Sequence, residues 1–124
     1  MLRSVMMGMM ADQRPTISTH VLDLASGNPA RGVVVRLERL ADDGHEQAIS
    51  ELRTDDDGRI RDLLPSTELR PGDYRLTLAV GRYAGEETGF FRELSVALRI
   101  FDTGRSYHVP LLLSPFGMST YRGS

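Results

Sequence analysis

The chain has 124 residues, 40% of them hydrophobic and 26% charged, with a formal net charge of −2. That is enough for one domain that buries ~65% of its unfolded-chain surface, and it lacks the strongly basic balance of a nucleic-acid or anionic-membrane binder. There is no Cys and all 15 basic residues are Arg, which excludes disulfides, thiol nucleophiles, thiolate metal sites and lysine Schiff bases.

The chain opens with MLRSVMMGMMADQR. Its apolar part, Val5 to Met10, is too short for a signal-peptide core and has no small-residue cleavage site. Residues 1–14 therefore read as a flexible leader and 15–124 as the domain. No later stretch is long and apolar enough for a membrane-spanning helix, and the expected compartment is the cytoplasm.

From there the pattern is strands and turns. In TISTHVLD, Ile17, Thr19 and Val21 share one face while Ser18, His20 and Leu22 share the other. ASGNPARG is a cluster of turn residues. In VVVRLERL, Val33, Val35 and Leu37 face one way; a loop around ADDGHE and a short strand in AISELRT follow. DDDG turns the chain into RIRDLLP, a short and weak strand, and RPGDY turns it again. Tyr74, Leu76, Leu78 and Val80 then line one face of a clear strand. GRYAGEETG is irregular, with room for one short helical turn. ELSVALRIF turns Leu94, Val96, Leu98 and Ile100 inward, and SYHVPLLL and MSTYRGS complete the set. Seven or eight short strands at intervals of about 8–12 residues predict an all-β two-sheet sandwich or small barrel.

The histidines divide by their surroundings. His45, in the DDGHE loop, reads as a solvated loop residue. His20 and His108 both lie opposite the larger apolar sets, on a face shared with Leu22, Leu112, Pro110, Ser18 and Ser106. An outer face that apolar suits a partner interface or a site, although ordinary surface histidines fit the same pattern. In TDDDGR the consecutive acids Asp55, Asp56 and Asp57 do not match the alternating ligands of a calcium loop. They suit a hairpin turn closing on Asp57-Gly58, which presents Arg59 at a strand start, where a guanidinium can address a planar, oxygen-rich ligand. There is no nucleophile elbow, phosphate-binding glycine loop or HExxH. A zinc site built on His20 and His108 lacks a third ligand, and no metal or organic cofactor is expected.

ISTHVLDLASGNPARGV, TDDDGR and YHVPLLLSPFGMSTYRGS together resemble the transthyretin-related family of 5-hydroxyisourate hydrolases, from about Pro15 to Ser124. The terminal YRGS is the feature that separates those hydrolases from hormone-carrying transthyretins. The resemblance implies an eight-stranded transthyretin-like sandwich assembled as a homotetramer, with active sites on the outer sheet faces where dimers meet. It implies catalytic roles for His20, Arg59, His108 and Ser124, with Tyr121, Arg122 and Gly123 lining the substrate cleft. The implied substrate is 5-hydroxyisourate, opened by water in urate degradation. The alternative is a non-catalytic transthyretin-like carrier of a small ligand. Ser106 stands where the family commonly has His, Met118 where it often has an aromatic residue, and Arg92 where it often has Pro.

Overall fold

In a computed structural model that describes residues 14–82 and 89–123, the alternating segments form nine strands in two sheets. They are β1 (Ile17–Asp23), β2 (Asn28–Pro29), β3 (Val34–Leu40), β4 (Glu46–Arg53), β5 (Arg59–Ile60), β6 (Gly72–Ala79), β7 (Leu94–Ile100), β8 (Tyr107–Ser114) and β9 (Gly117–Thr120). One sheet has the order β2-β1-β8-β9, with the short β5 also pairing β1; the other has the order β4-β3-β6-β7. The architecture is the expected all-β sandwich.

The β1–β8 pair is parallel and in unbroken register from Ile17↔Tyr107 to Asp23↔Leu113, so it joins the two ends of the described chain. The other edge of β1 is covered in turn by β5 and β2, both antiparallel. That leaves one face of β1 and β8 for the core and the other turned outward.

The inner faces are those that alternation predicts. Ile17 and Val21 of β1, Val35 and Leu37 of β3, and Leu76 and Leu78 of β6 are at most 1% exposed. Each such side chain contributes about 1.5–3 kcal/mol relative to exposure. Thr19, on the same face, is buried with its hydroxyl donating to the Val109 carbonyl at 2.7 Å.

Three segments differ from the sequence-based expectation. β4 is longer and pairs β3 across a bulge at Leu37/Glu38. RIRDLLP keeps only two strand residues, because Leu63 and Leu64 leave the sheet to plug the core as a buried loop. Asp62 shapes that loop: its carboxylate accepts the Leu64 N–H at 2.9 Å and the Thr16 hydroxyl at 2.5 Å. Finally, Asn28–Pro29 forms a brief pairing within the turn cluster.

The helical turn after β6 is a 3-10 turn at Val80–Arg82, while residues 83–88 of the irregular segment lie outside the described residues. Residues 1–13 of the expected leader also lie outside them. Arg14 donates to the Asp62 carboxylate and to the Leu64 carbonyl, both at 2.6 Å. β7 exposes more of its inner face than β6 does, as an edge strand should; Leu94, Val96 and Leu98 are half-buried.

Candidate active site

The outer face of β1 carries Ser18 and His20, because Ile17, Thr19 and Val21 take the inner one. Register then selects their neighbours: Ser18 lies across from His108 on β8, and His20 across from Arg59 on β5. Lateral neighbours in a sheet are about 4.8 Å apart, so four polar side chains from three distant chain segments share one patch. A cleft of about 200 Å³ is bordered by Ser18, Arg59, Ile60, Arg61 and His108. His20 stands beside it, next to Arg59.

Arg59 is positioned by a tightly determined turn. The Asp55 carboxylate accepts the N–H groups of Asp57 and Arg59, each at 2.9 Å. The Asp55 N–H in turn donates to the Arg59 carbonyl at 3.0 Å. Gly58 sits at φ +74°, and a Cβ there would fall 2.4 Å from the Val21 carbonyl oxygen. Only glycine fits both conditions, and its carbonyl accepts the Val21 N–H at 2.8 Å. The Arg59 N–H is the main cause that holds the Asp55 carboxyl below its usual range; the Asp57 N–H and Arg61 add to it, against the opposing effect of burial.

His108 is positioned by side-chain and terminal contacts. Its Nδ1 lies 2.8 Å from Ser18 Oγ, and its carbonyl accepts the Gly123 N–H at 2.7 Å. Gly123 packs so closely that an added Cβ would meet His108 Cδ2 at 2.8 Å. Burial is the first cause that holds the imidazole below its ordinary pKa, followed by electrostatic opposition from Arg59 and then His20. A neutral imidazole beside a guanidinium is a proton acceptor next to an oxygen-binding cation.

The other described residues singled out in the sequence lie elsewhere. Tyr121 is 57% exposed at the end of the strand that leads to Gly123. The Arg122 guanidinium sits 5.6 Å from the centroid of the Tyr107 ring, which belongs to the inner face of β8, so it points away from His108. Ser124 lies outside the described residues. His45 is in the β3–β4 loop with its Nδ1 2.8 Å from Asp43. The Ser106 hydroxyl accepts the Thr16 N–H at 3.1 Å and helps start the β1–β8 pairing. Among the described residues no group of three His, Cys, Asp or Glu side chains is placed to hold a metal.

Two residues that build the patch or hold it carry no clear signal in the sequence. Ser18 shows there only as a face-mate of His20, and nothing in a strand pattern reports which residue lies across from it. Asp55 shows only as one of three turn acids; its separate role follows from the bonds that its carboxylate makes.

The model of the HIUase/Transthyretin family matches residues 17–123. The chain belongs to that family. It is 46% identical over 110 residues to the 5-hydroxyisourate hydrolase of Salmonella dublin, covering 87% of this chain and 80% of that one. Its fold matches the structure of Klebsiella pneumoniae 5-hydroxyisourate hydrolase with a TM-score of 0.75 at 36% identity, covering 89% of this chain and 99% of the other. It also matches transthyretin from Sparus aurata with a TM-score of 0.80 at 28% identity, over 89% and 97% of the two chains. The fold is thus shared with both branches of the family, and the hydrolases share more of the sequence.

Proposed function

We propose that this protein hydrolyses 5-hydroxyisourate to 2-oxo-4-hydroxy-4-carboxy-5-ureidoimidazoline, a step of urate degradation. The observation that carries the reading is the meeting of His20, Arg59 and His108 on one outer face, in a chain 46% identical to a named hydrolase of that substrate. A carrier has no use for a neutral imidazole beside a guanidinium.

Water must add to a ring carbonyl and a C–N bond must break. His108 is the base: its neutral imidazole takes a proton from water as the oxygen attacks the carbonyl carbon. Arg59 binds the planar ring and stabilises the oxyanion. His20 orients the substrate or passes the proton to the departing nitrogen. Ser124 is assigned to the placement of the attacking water, and Tyr121 and Gly123 to the shape of the cleft. Arg122 shapes the cleft through the terminal segment that it anchors.

The reading extends to assembly and location. We take residues 15–124 as the catalytic domain and the active form as a homotetramer. In support, β7 and β9 are unpaired along one edge among the described residues. Phe90 and Phe116 also form an exposed apolar pair with ring centroids 6.4 Å apart. Among the described residues no helix is long and apolar enough to cross a membrane, and the cytoplasm is the compartment proposed.

The test generates 5-hydroxyisourate in place from urate and urate oxidase and follows its ultraviolet decay. The wild type should speed the decay, and His108→Ala should lose about 10²–10⁴-fold while remaining folded. Because the base must be neutral, activity should fall in acid only as pH drops through a value below the ordinary histidine figure of 6.5. A folded wild type with no effect on the decay overturns the reading.

A further inference from the structure

We propose that Ser18 is a positioning residue that fixes which ring nitrogen of His108 faces the cleft. The inference rests on the hydrolase reading for its consequence in turnover, but not for its structural content.

The contact is built by the backbone. The β1–β8 register holds without a shift over seven positions and sets Ser18 directly across from His108. Ser18 Oγ then lies 2.8 Å from Nδ1, the ring nitrogen nearer the main chain. A neutral imidazole has one N–H and one lone pair. With the proton on Nδ1, that N–H donates to Ser18 Oγ and the Nε2 lone pair is free for the cleft. In the opposite tautomer Ser18 donates to Nδ1, and Nε2–H has no lone pair with which to accept a proton from water.

Two features favour the first arrangement. When His108 takes a proton from water it becomes an imidazolium with both nitrogens protonated, so Ser18 must act as acceptor at that moment. A ring already donating Nδ1–H to Ser18 reaches that state without any rotation of the hydroxyl. The ring also forms its cation near Arg59 and His20, both of which oppose it. A hydroxyl lone pair on Nδ1–H offsets part of that opposition.

The other side of the ring closes the alternative of a flip. Gly123 packs against Cδ2, and rotating the ring by half a turn would bring Cδ2 to the Ser18 hydroxyl and Nδ1 to Gly123. The flipped ring loses its side-chain partner, so Ser18 and Gly123 clamp one orientation between them.

Ring nitrogens of ¹⁵N-histidine protein, observed above the His108 pKa and assigned with His108→Ala, test this directly. Wild type and Ser18→Thr should show the Nδ1–H tautomer at His108, and Ser18→Ala should show a shift toward Nε2–H. In the decay assay Ser18→Ala should lower kcat about 10- to 100-fold, as expected for one hydrogen bond to a charged group, with KM little changed. Ser18→Thr should restore most of the loss. An Nε2–H tautomer in the wild type, or a spectrum unmoved by Ser18→Ala, overturns the proposal. If the wild type is inactive on 5-hydroxyisourate, the hydrolase reading fails and the spectra alone decide the role of Ser18.

Discussion

The two sides of the cleft are built differently. Arg59 stands on a turn in which Asp55, Asp57, Gly58 and Arg59 are joined by main-chain and carboxylate hydrogen bonds, wedged against β1 at Val21. His108 is the second residue of a regular strand, whose backbone alone does not single it out, and Ser18 and Gly123 hold its ring. The arginine side is therefore fixed by folding, whereas the histidine side is fixed by two side contacts. Substitutions should cost stability, with activity following it, on the first side and mainly turnover on the second.

Gly58→Ala should be the most damaging change on the arginine side. The new Cβ meets a backbone oxygen rather than a flexible side chain, and it must do so in the left-handed region. Overpacking costs about 1–3 kcal/mol and the backbone conformation about 1–2 kcal/mol more. Chemical denaturation should show a loss of at least ~2 kcal/mol, with activity falling in step because Arg59 moves with the turn. A variant with full stability would mean that β1 and the turn separate without cost, and the contrast between the two sides would collapse.

Asp55→Ala comes next. Its carboxyl is held below the ordinary value of 3.8, chiefly by the Arg59 N–H, so the folded state favours the ionised form. That stabilisation is complete above the unfolded-state value and is lost as pH falls through the folded-state value. Thermal melts should thus show the variant less stable than wild type at neutral pH, with the gap closing in acid. A gap that does not change with pH would assign the turn's strength to backbone bonds alone.

The same contrast governs how much of the fold and the site is legible in the amino-acid sequence. Strand side chains alternate with a period of two, so the division of Ile17, Thr19 and Val21 from Ser18 and His20 is legible, and with it the outer position of both histidines. Pairing between strands leaves no such trace. That Ser18 meets His108 depends on a parallel register between segments 90 residues apart in sequence. Leu63 and Leu64 read as strand because burial looks the same in a strand and in a loop that plugs a core; the Asp62 bonds that make the loop are tertiary. The family resemblance points to His20, Arg59 and His108, while the geometry supplies the residues that hold them.

On the histidine side Gly123→Ala should do the reverse of Gly58→Ala. Gly123 has no left-handed backbone requirement, and the atom its Cβ would meet belongs to the His108 ring. The ring has to tilt by a few tenths of an ångström or more, which disturbs the aim of Nε2. Misplacement of a catalytic group on this scale costs up to about 10²-fold, while stability should fall by less than for Gly58→Ala, because the obstacle is a side chain rather than a backbone oxygen and no left-handed strain is added. A kcat loss larger than the loss of stability is the expected result. Equal losses in both would show that the terminal segment is as integral to the fold as the arginine turn.

The smallest effect concerns Arg122, whose guanidinium lies over the Tyr107 ring while Arg105 sits at the same 5.6 Å distance from that centroid. Such a contact is worth about 0.5–1 kcal/mol at an exposed site, and a second cation on the same ring reduces what either one adds. Arg122→Ala should release the end of the chain rather than remove a substrate contact. Hydrogen exchange at the Gly123 N–H, which bonds to the His108 carbonyl, reads that release, and steady-state kinetics read the substrate. Faster exchange with a modest fall in kcat and a steady KM makes Arg122 an anchor for the histidine side. A raised KM with Gly123 still protected makes it a direct ligand, and would mean that Arg122 leaves the Tyr107 ring when substrate binds.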